Sequence, residues 1–226
     1  MLASSSIRNR GAYRVAGHHW DPRTLAQEVR TIPEHAWKPL PHGDAWSQIV
    51  LQDQHGRGQP LLEKAPAIRS VIDWFPGEVL DATLARLSPG GWVKEHRDLS
   101  GGAPMGVSRF HVPIVTHQDV QFLADRKPIF MGAGELWVLD TSYLHSLRNA
   151  SNVRRVHLIV DVKRSDAVVG LLPKADFRDR LHMLHFAGIC AAKGATLACR
   201  DPRAMARRAR DAFKLRVLGR SVFNFE

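Results

Sequence analysis

From residue 84 to residue 162 the sequence is cut into seven short runs of β-branched, aromatic and aliphatic residues, with Gly, Pro, Asn and Asp between them. No other feature limits the fold as much. Runs of this length are too short for stable helices, and strands so closely spaced fold into a β-sandwich or jelly roll. The spacing predicts strands over 84–87, 92–98, 107–116, 120–124, 135–139, 144–149 and 155–162. The turn-forming stretch from Asn149 to Asn152 further predicts that the last two of these pair with each other as a hairpin.

Helical patterning brackets this block. Asp21-Pro22 combines a good N-cap with the residue that best tolerates the first helical position, and Leu25, Ala26 and Val29 follow on one face. Pro66 opens a second helix in which Ile68, Val71, Ile72 and Phe75 recur at i, i+3, i+4 and i+7. Strands are expected over 12–20 and 46–52, and the two helices are expected to buttress one sheet. Beyond Lys163 helices are predicted over 177–192 and 202–218. The expected architecture is mainly β with flanking helices, comprising a jelly-roll domain over 1–163 and a basic helical appendage over 164–226.

A chain of 226 residues can bury one substantial core. It has no apolar run of about 18 residues, so no membrane span is expected, and without an apolar signal core the expected location is the cytoplasm. The formal charge of +10 is concentrated late: residues 163–226 hold 14 Lys and Arg against 6 Asp and Glu. Such a face more often meets water than nucleic acid, which is not expected as a partner. Cys190 and Cys199 match neither a disulfide framework nor a zinc spacing, and reduced thiols are expected. His182 and His185, one helical turn apart, fit a solvated or hydrogen-bonded pair better than a metal site.

The chemistry is concentrated in the β block. Side chains two apart on a strand share a face, so His96 and Asp98 can aim an imidazole and a carboxylate at one point. His145, from a later strand, can complete a face of two histidines and one carboxylate. That set leaves coordination positions open and is typical of non-haem Fe(II) oxygenases. A His-x-Asp pair alone says little in a chain with 12 histidines. Weight is added by the Pro89-Gly90-Gly91 turn leading into the pair and by Arg155, ten residues after His145. An arginine is a bidentate partner for a carboxylate, here the far end of an acidic co-substrate whose other end chelates the metal. Arg155, His157 and Asp161 share parity on one strand, as do Arg109 and His111 on another.

The stretches His96-Arg97-Asp98, Ser108-Arg109-Phe110-His111, Met131 to Asp140, His145-Ser146 and Arg155-Val156-His157-Leu158-Ile159-Val160-Asp161 resemble the aspartyl/asparaginyl β-hydroxylase family of 2-oxoglutarate-dependent oxygenases. They are most similar to the small bacterial members that hydroxylate free L-proline at a cis position. The resemblance covers roughly residues 65–163. It implies a double-stranded β-helix (jelly-roll, cupin-like) core, Fe(II) as cofactor, and 2-oxoglutarate and O2 as co-substrates. It also implies that His96, Asp98 and His145 are the metal ligands, that Arg155 holds the distal carboxylate of 2-oxoglutarate, and that Arg109 and His111 line its pocket. The expected substrate is a small molecule, an amino acid or related carboxylate, with a residue inside a peptide as the alternative. Arg97 and Arg148, next to ligand-bearing positions, are candidates to meet a substrate carboxylate. The small-residue loop over 99–105 is a candidate lid.

Overall fold

Asp21 accepts hydrogen bonds from the backbone N–H groups of Arg23 and Thr24, which starts α1 (Pro22–Thr31) where the sequence places it. The next helix, α2 (Pro66–Asp73), has Ala65 at its N-cap and no side chain of its own to do this. Glu28 of α1 supplies the cap instead, accepting from Ala67 N at 2.7 Å and Ile68 N at 2.9 Å, so the two helices are locked by a charge-assisted contact at a positive helix end. The computed structural model describes residues 9–40, 43–53, 60–98, 106–203 and 206.

The strands are β1 (Ala12–His19), β2 (Lys38–Leu40), β3 (Gly43–Gln52), β4 (Val79–Leu87), β5 (Trp92–His96), β6 (Val107–Val115), β7 (Val120–Ala124), β8 (Lys127–Ile129), β9 (Glu135–Leu139), β10 (His145–Asn149) and β11 (Arg155–Lys163). They form a seven-stranded sheet in the order β1-β9-β6-β11-β4-β3-β2 and a four-stranded sheet in the order β5-β10-β7-β8. All pairings are antiparallel. This is the expected jelly roll, mainly β with few helices.

Alternation along the central strands gives each face of the large sheet its own partner. Phe110, Val112 and Ile114 of β6 and Val156, Leu158, Val160 and Val162 of β11 pack with Leu25, Ile68, Val71 and Phe75 of the helical layer. The helices therefore buttress one sheet, as the sequence indicates. Phe110 is fully buried there, and truncating such a side chain costs about 3–5 kcal/mol. The opposite face looks across to the small sheet through Leu87, Phe122, Leu139, Met131 and Leu147. On β6 and β11 that inner face carries Arg109, His111, Arg155, His157 and Asp161, with Ile159 among them.

Two local expectations are corrected. The expected hairpin between the strands of His145 and Arg155 does not form: β10 pairs with β5 and β7 in the small sheet, β11 with β4 and β6 in the large one. The turn exists, but it carries the chain from one sheet to the other. Asn149, fully buried, organises it: its side chain donates to Leu87 O and Val153 O and accepts from Ser151. The expected strand 92–98 ends at His96, so Asp98 lies just beyond the regular pairing. At Gly134, φ is +81°, and an added Cβ would collide with the carbonyl oxygen of Trp20. Only glycine fits this entry to β9.

After β11 come α3 (Asp166–Val169) and α4 (Phe177–Arg200), the latter eight residues longer than the sequence pattern indicates. Val168 is fully buried in the core cluster, and Phe186 of α4 is fully buried. The loop over 99–105 lies outside the described residues, as does the expected helix over 202–218 except for residues 202, 203 and 206, which are helical. No described helix is long and apolar enough to cross a membrane, and both cysteines are free.

Candidate metal centre

His96 is the last residue of β5 and His145 the first of β10; the two are register partners, which sets their rings side by side with centroids 4.2 Å apart. Each ring is fixed by its own backbone. Nδ1 of His96 lies 2.7 Å from Lys94 O and Nδ1 of His145 lies 3.1 Å from Tyr143 O. A carbonyl can only accept, so Nδ1 carries the hydrogen in both rings and each Nε2 lone pair is free to point elsewhere. Both point at Asp98 Oδ1, at 3.3 Å from His96 and 4.0 Å from His145. The ligand atoms of the three residues all lie within 4.8 Å of one another, the one such cluster among the described residues. The donor set, two neutral imidazoles and a carboxylate converging on one point, fits a divalent first-row metal with positions left open.

Asp98 is held from two sides. Its backbone N–H donates to Thr141 O at 3.0 Å, and its Oδ2 accepts from Arg109 Nη1 at 2.8 Å, which leaves Oδ1 for the histidines. Arg109 is itself gripped by Asp161 through Nε and Nη2, both at 2.8 Å. Burial would raise the Asp98 pKa, but a protonated His96, able to donate to it from Nε2, and the charge of Arg109 outweigh it and hold the carboxyl below its ordinary value. With no metal bound, a protonated His96 can donate from Nε2 to Asp98, which raises its pKa, whereas burial lowers that of His145. Arg109 keeps its charge: burial opposes it, and the Asp161 carboxylate prevails.

Deeper between the sheets lies Arg155, only 1% exposed. Among the described residues its single side-chain hydrogen bond is Nη2 to His157 Nδ1 at 2.7 Å, and its Nε and Nη1 are buried with no partner there. Burial alone, with no facing carboxylate, pushes this guanidinium down to about 9, a direction that an anion beside it would reverse. His111 and His157 are driven well below the ordinary histidine range by burial and by the neighbouring Arg155 charge.

One cavity of about 260 Å³ joins these parts; His96, Asp98 and His145 line it together with Arg109, His111 and Arg155. Its remaining walls are largely apolar and include Leu40, Trp46, Trp92, Phe122, Leu139 and Ile159. All six sequence-selected site residues therefore border one space, although Arg109 is committed to Asp98 and Asp161. Arg97 instead donates to Ser142 O, and Arg148 is exposed and does not line the cavity. Sequence reasoning missed the aromatic walls and Thr141, whose buried Oγ1 has no partner among the described residues; nothing in local periodicity marks them. It also missed the tie between α4 and the 140–144 loop. His182 stacks on Tyr143 with centroids 3.5 Å apart and lies 3.0 Å from Ser142 Oγ, while Tyr143 Oη donates to Asp179. That loop leads directly into His145.

Two facing antiparallel sheets with a His–Asp–His cluster and a buried arginine between them define a jelly-roll protein of the oxygenase type. A family model described as aspartyl/asparaginyl beta-hydroxylase matches residues 20–165, and the chain belongs to that family. It is a 2-oxoglutarate-dependent hydroxylase, with Fe(II) as cofactor and 2-oxoglutarate and O2 as co-substrates.

Solved structures share the fold at low identity. SnoK, a non-haem α-ketoglutarate-dependent carbocyclase from nogalamycin biosynthesis, is 12% identical, with 70% of this chain and 81% of that chain covered and a TM-score of 0.51. An oxidoreductase of the 2OG-Fe(II) oxygenase family from Burkholderia pseudomallei is 15% identical, with coverages of 69% and 85% and a TM-score of 0.48. HygX from Streptomyces hygroscopicus, solved with nickel and 2-oxoglutarate bound, is 10% identical, with coverages of 69% and 82% and a TM-score of 0.47.

Proposed function

We propose that this chain hydroxylates an unactivated C–H bond of a free amino acid or related small carboxylate. In this reading Fe(II) is held by His96, Asp98 and His145, and the distal carboxylate of 2-oxoglutarate by Arg155. The observation that carries it is the pairing of two unfinished groups in one cavity: a converging donor set at one end and a fully buried, half-unpaired guanidinium at the other. A buried cation without a counter-charge is costly, so a carboxylate is the ligand whose chemistry completes the site.

Iron held by His96, Asp98 and His145 would supply the O2 chemistry that couples decarboxylation of 2-oxoglutarate to succinate and CO2 with oxygenation of the substrate C–H bond. The residues of the chain provide geometry. Lys94 O and Tyr143 O fix the two imidazoles, Arg109 turns one oxygen of Asp98 away from the cluster, and Arg155 sets the depth of the co-substrate. Leu139, Phe122, Trp46 and Ile159 keep the reacting space apolar, which limits water and side reactions.

The cavity volume falls just under the range of drug-sized sites, which supports a small substrate sharing it with 2-oxoglutarate. The likeness to bacterial members acting on free L-proline points the same way. The test is 2-oxoglutarate-dependent succinate formation across a panel of free amino acids and of peptides in which the carboxylate is tied up as an amide. Stimulation by one or a few free amino acids is expected; stimulation by the peptides alone would overturn the small-molecule reading and leave the metal and co-substrate assignments standing.

A further inference from the structure

Arg155 is held in place by a histidine, and that contact fixes the hydrogens of both. A guanidinium has five N–H donors and no acceptor, so in the 2.7 Å contact between Arg155 Nη2 and His157 Nδ1 the histidine must accept. His157 is therefore the neutral tautomer with its hydrogen on Nε2. The other strand contributes as well: His111 Nδ1 lies 3.4 Å from the same His157 Nδ1. Both imidazoles are almost completely buried, and burial together with the Arg155 charge opposes protonating either.

His157 takes one of the two Nη2 hydrogens. Whichever it takes, a guanidinium keeps one complete two-donor edge, and here Nε and Nη1 are the atoms without partners. A long arginine side chain between two sheets would otherwise have several rotamers to choose from. An acceptor at one nitrogen restricts it, so less conformational freedom is lost when a carboxylate docks.

We propose that His157 is a positioning residue: as a fixed neutral acceptor it orients Arg155 so that the free edge of the guanidinium meets the co-substrate carboxylate. This rests on the reading of Arg155 as the 2-oxoglutarate anchor. His157 does not itself line the cavity, so it acts only through Arg155. An imidazolium at this position, or an apolar side chain, would release the arginine.

The experiment is calorimetric binding of 2-oxoglutarate to the Zn(II)-loaded protein, which does not turn over, in wild type, Arg155→Ala, His157→Leu and His157→Asn. The Oδ1 of asparagine branches from Cγ as Nδ1 of histidine does, so it can accept the same hydrogen bond. The expected result is at least tenfold weaker binding for Arg155→Ala and for His157→Leu, and recovery to within about threefold of wild type for His157→Asn. Steady-state kinetics should show the His157→Leu loss in the 2-oxoglutarate KM, with kcat at saturation changed less than threefold. A change in kcat alone would mean a general disturbance of the fold and would overturn the proposal. If Arg155→Ala weakens binding and His157→Leu does not, the positioning role is overturned while the anchor stands; if neither does, both fall. A wild-type measurement does not depend on any variant folding: long-range 15N–1H correlation spectra of the Zn(II)-loaded protein should show His157 neutral with its hydrogen on Nε2 from pH 6 to 8. A hydrogen on Nδ1 would overturn the proposal.

Discussion

Asp161→Asn tests how Asp98 is held. Arg109 joins two carboxylates, taking Asp161 through two 2.8 Å bonds and Asp98 through one. Asparagine keeps the shape and one acceptor, but turns an NH2 group toward a guanidinium N–H and removes the charge. Breaking a deeply buried pair costs about 3–5 kcal/mol, and an exposed one about 0–1 kcal/mol. With the Arg109 and Asp161 side chains still 26% and 16% exposed, the cost falls between these, at about 2 kcal/mol. A smaller gain offsets part of it, because Asp161 sits opposite Asp81 in the β11–β4 register and removing one carboxylate relieves the other. The assay is urea unfolding at pH 7.5 with an unchanged m value, together with equilibrium metal binding. Arg109, left with Asp98 as its one ion-pair partner among the described residues, should hold that ligand more tightly and weaken the metal. A stability loss below about 0.5 kcal/mol together with wild-type metal affinity would refute the linkage from Asp161 through Arg109 to Asp98.

Burial raises Asp81 from 3.8 to about 6, with Thr83 bonded to it at 2.7 Å. A raised carboxyl favours the folded state fully only below about pH 4, and this contribution is lost as pH rises through about 6, so Asp81→Asn should stabilise the protein by about 2 kcal/mol at pH 8 and by almost nothing at pH 4, read from thermal melts at both. Gly134→Ala combines a positive φ with a collision at Trp20 O and should cost about 3 kcal/mol or prevent folding; a melt within 2 °C of wild type would contradict that geometry. Tyr143→Phe keeps the stack on His182 and loses the 3.2 Å bond to Asp179, so a loss of about 1 kcal/mol is expected, and His182→Ala, which removes the stack, should lose more.

The legible parts of this protein were those that local chemistry decides. The two helices follow from a cap, a proline and a 3.6-residue stripe, and the strands of the large sheet, β2 apart, from short runs of strand-forming residues bounded by turns. The inner-face residues of β11 were readable from parity alone, because Arg155, His157 and Asp161 interrupt a run that up to Val162 is otherwise Val, Leu and Ile. What stayed hidden depends on long-range choices. Whether β10 joins one sheet or the other turns on buried Asn149 satisfying Leu87 O, 62 residues away. Asp98 reaches His96 although the strand has ended, because Thr141 O and Arg109 hold it there. The docking of α4 on Tyr143 spans 36 to 40 residues and leaves no periodic trace in either segment.

The central claim, one metal held by His96, Asp98 and His145 with 2-oxoglutarate completing the site, is tested most directly by anaerobic Fe(II) equilibrium dialysis with and without 2-oxoglutarate. The expected result is one Fe(II) per wild-type chain, bound more tightly when 2-oxoglutarate is present, and no saturable site in the folded His96→Ala/His145→Ala double variant. Retention of one tightly bound Fe(II) per chain by that double variant would contradict the assignment.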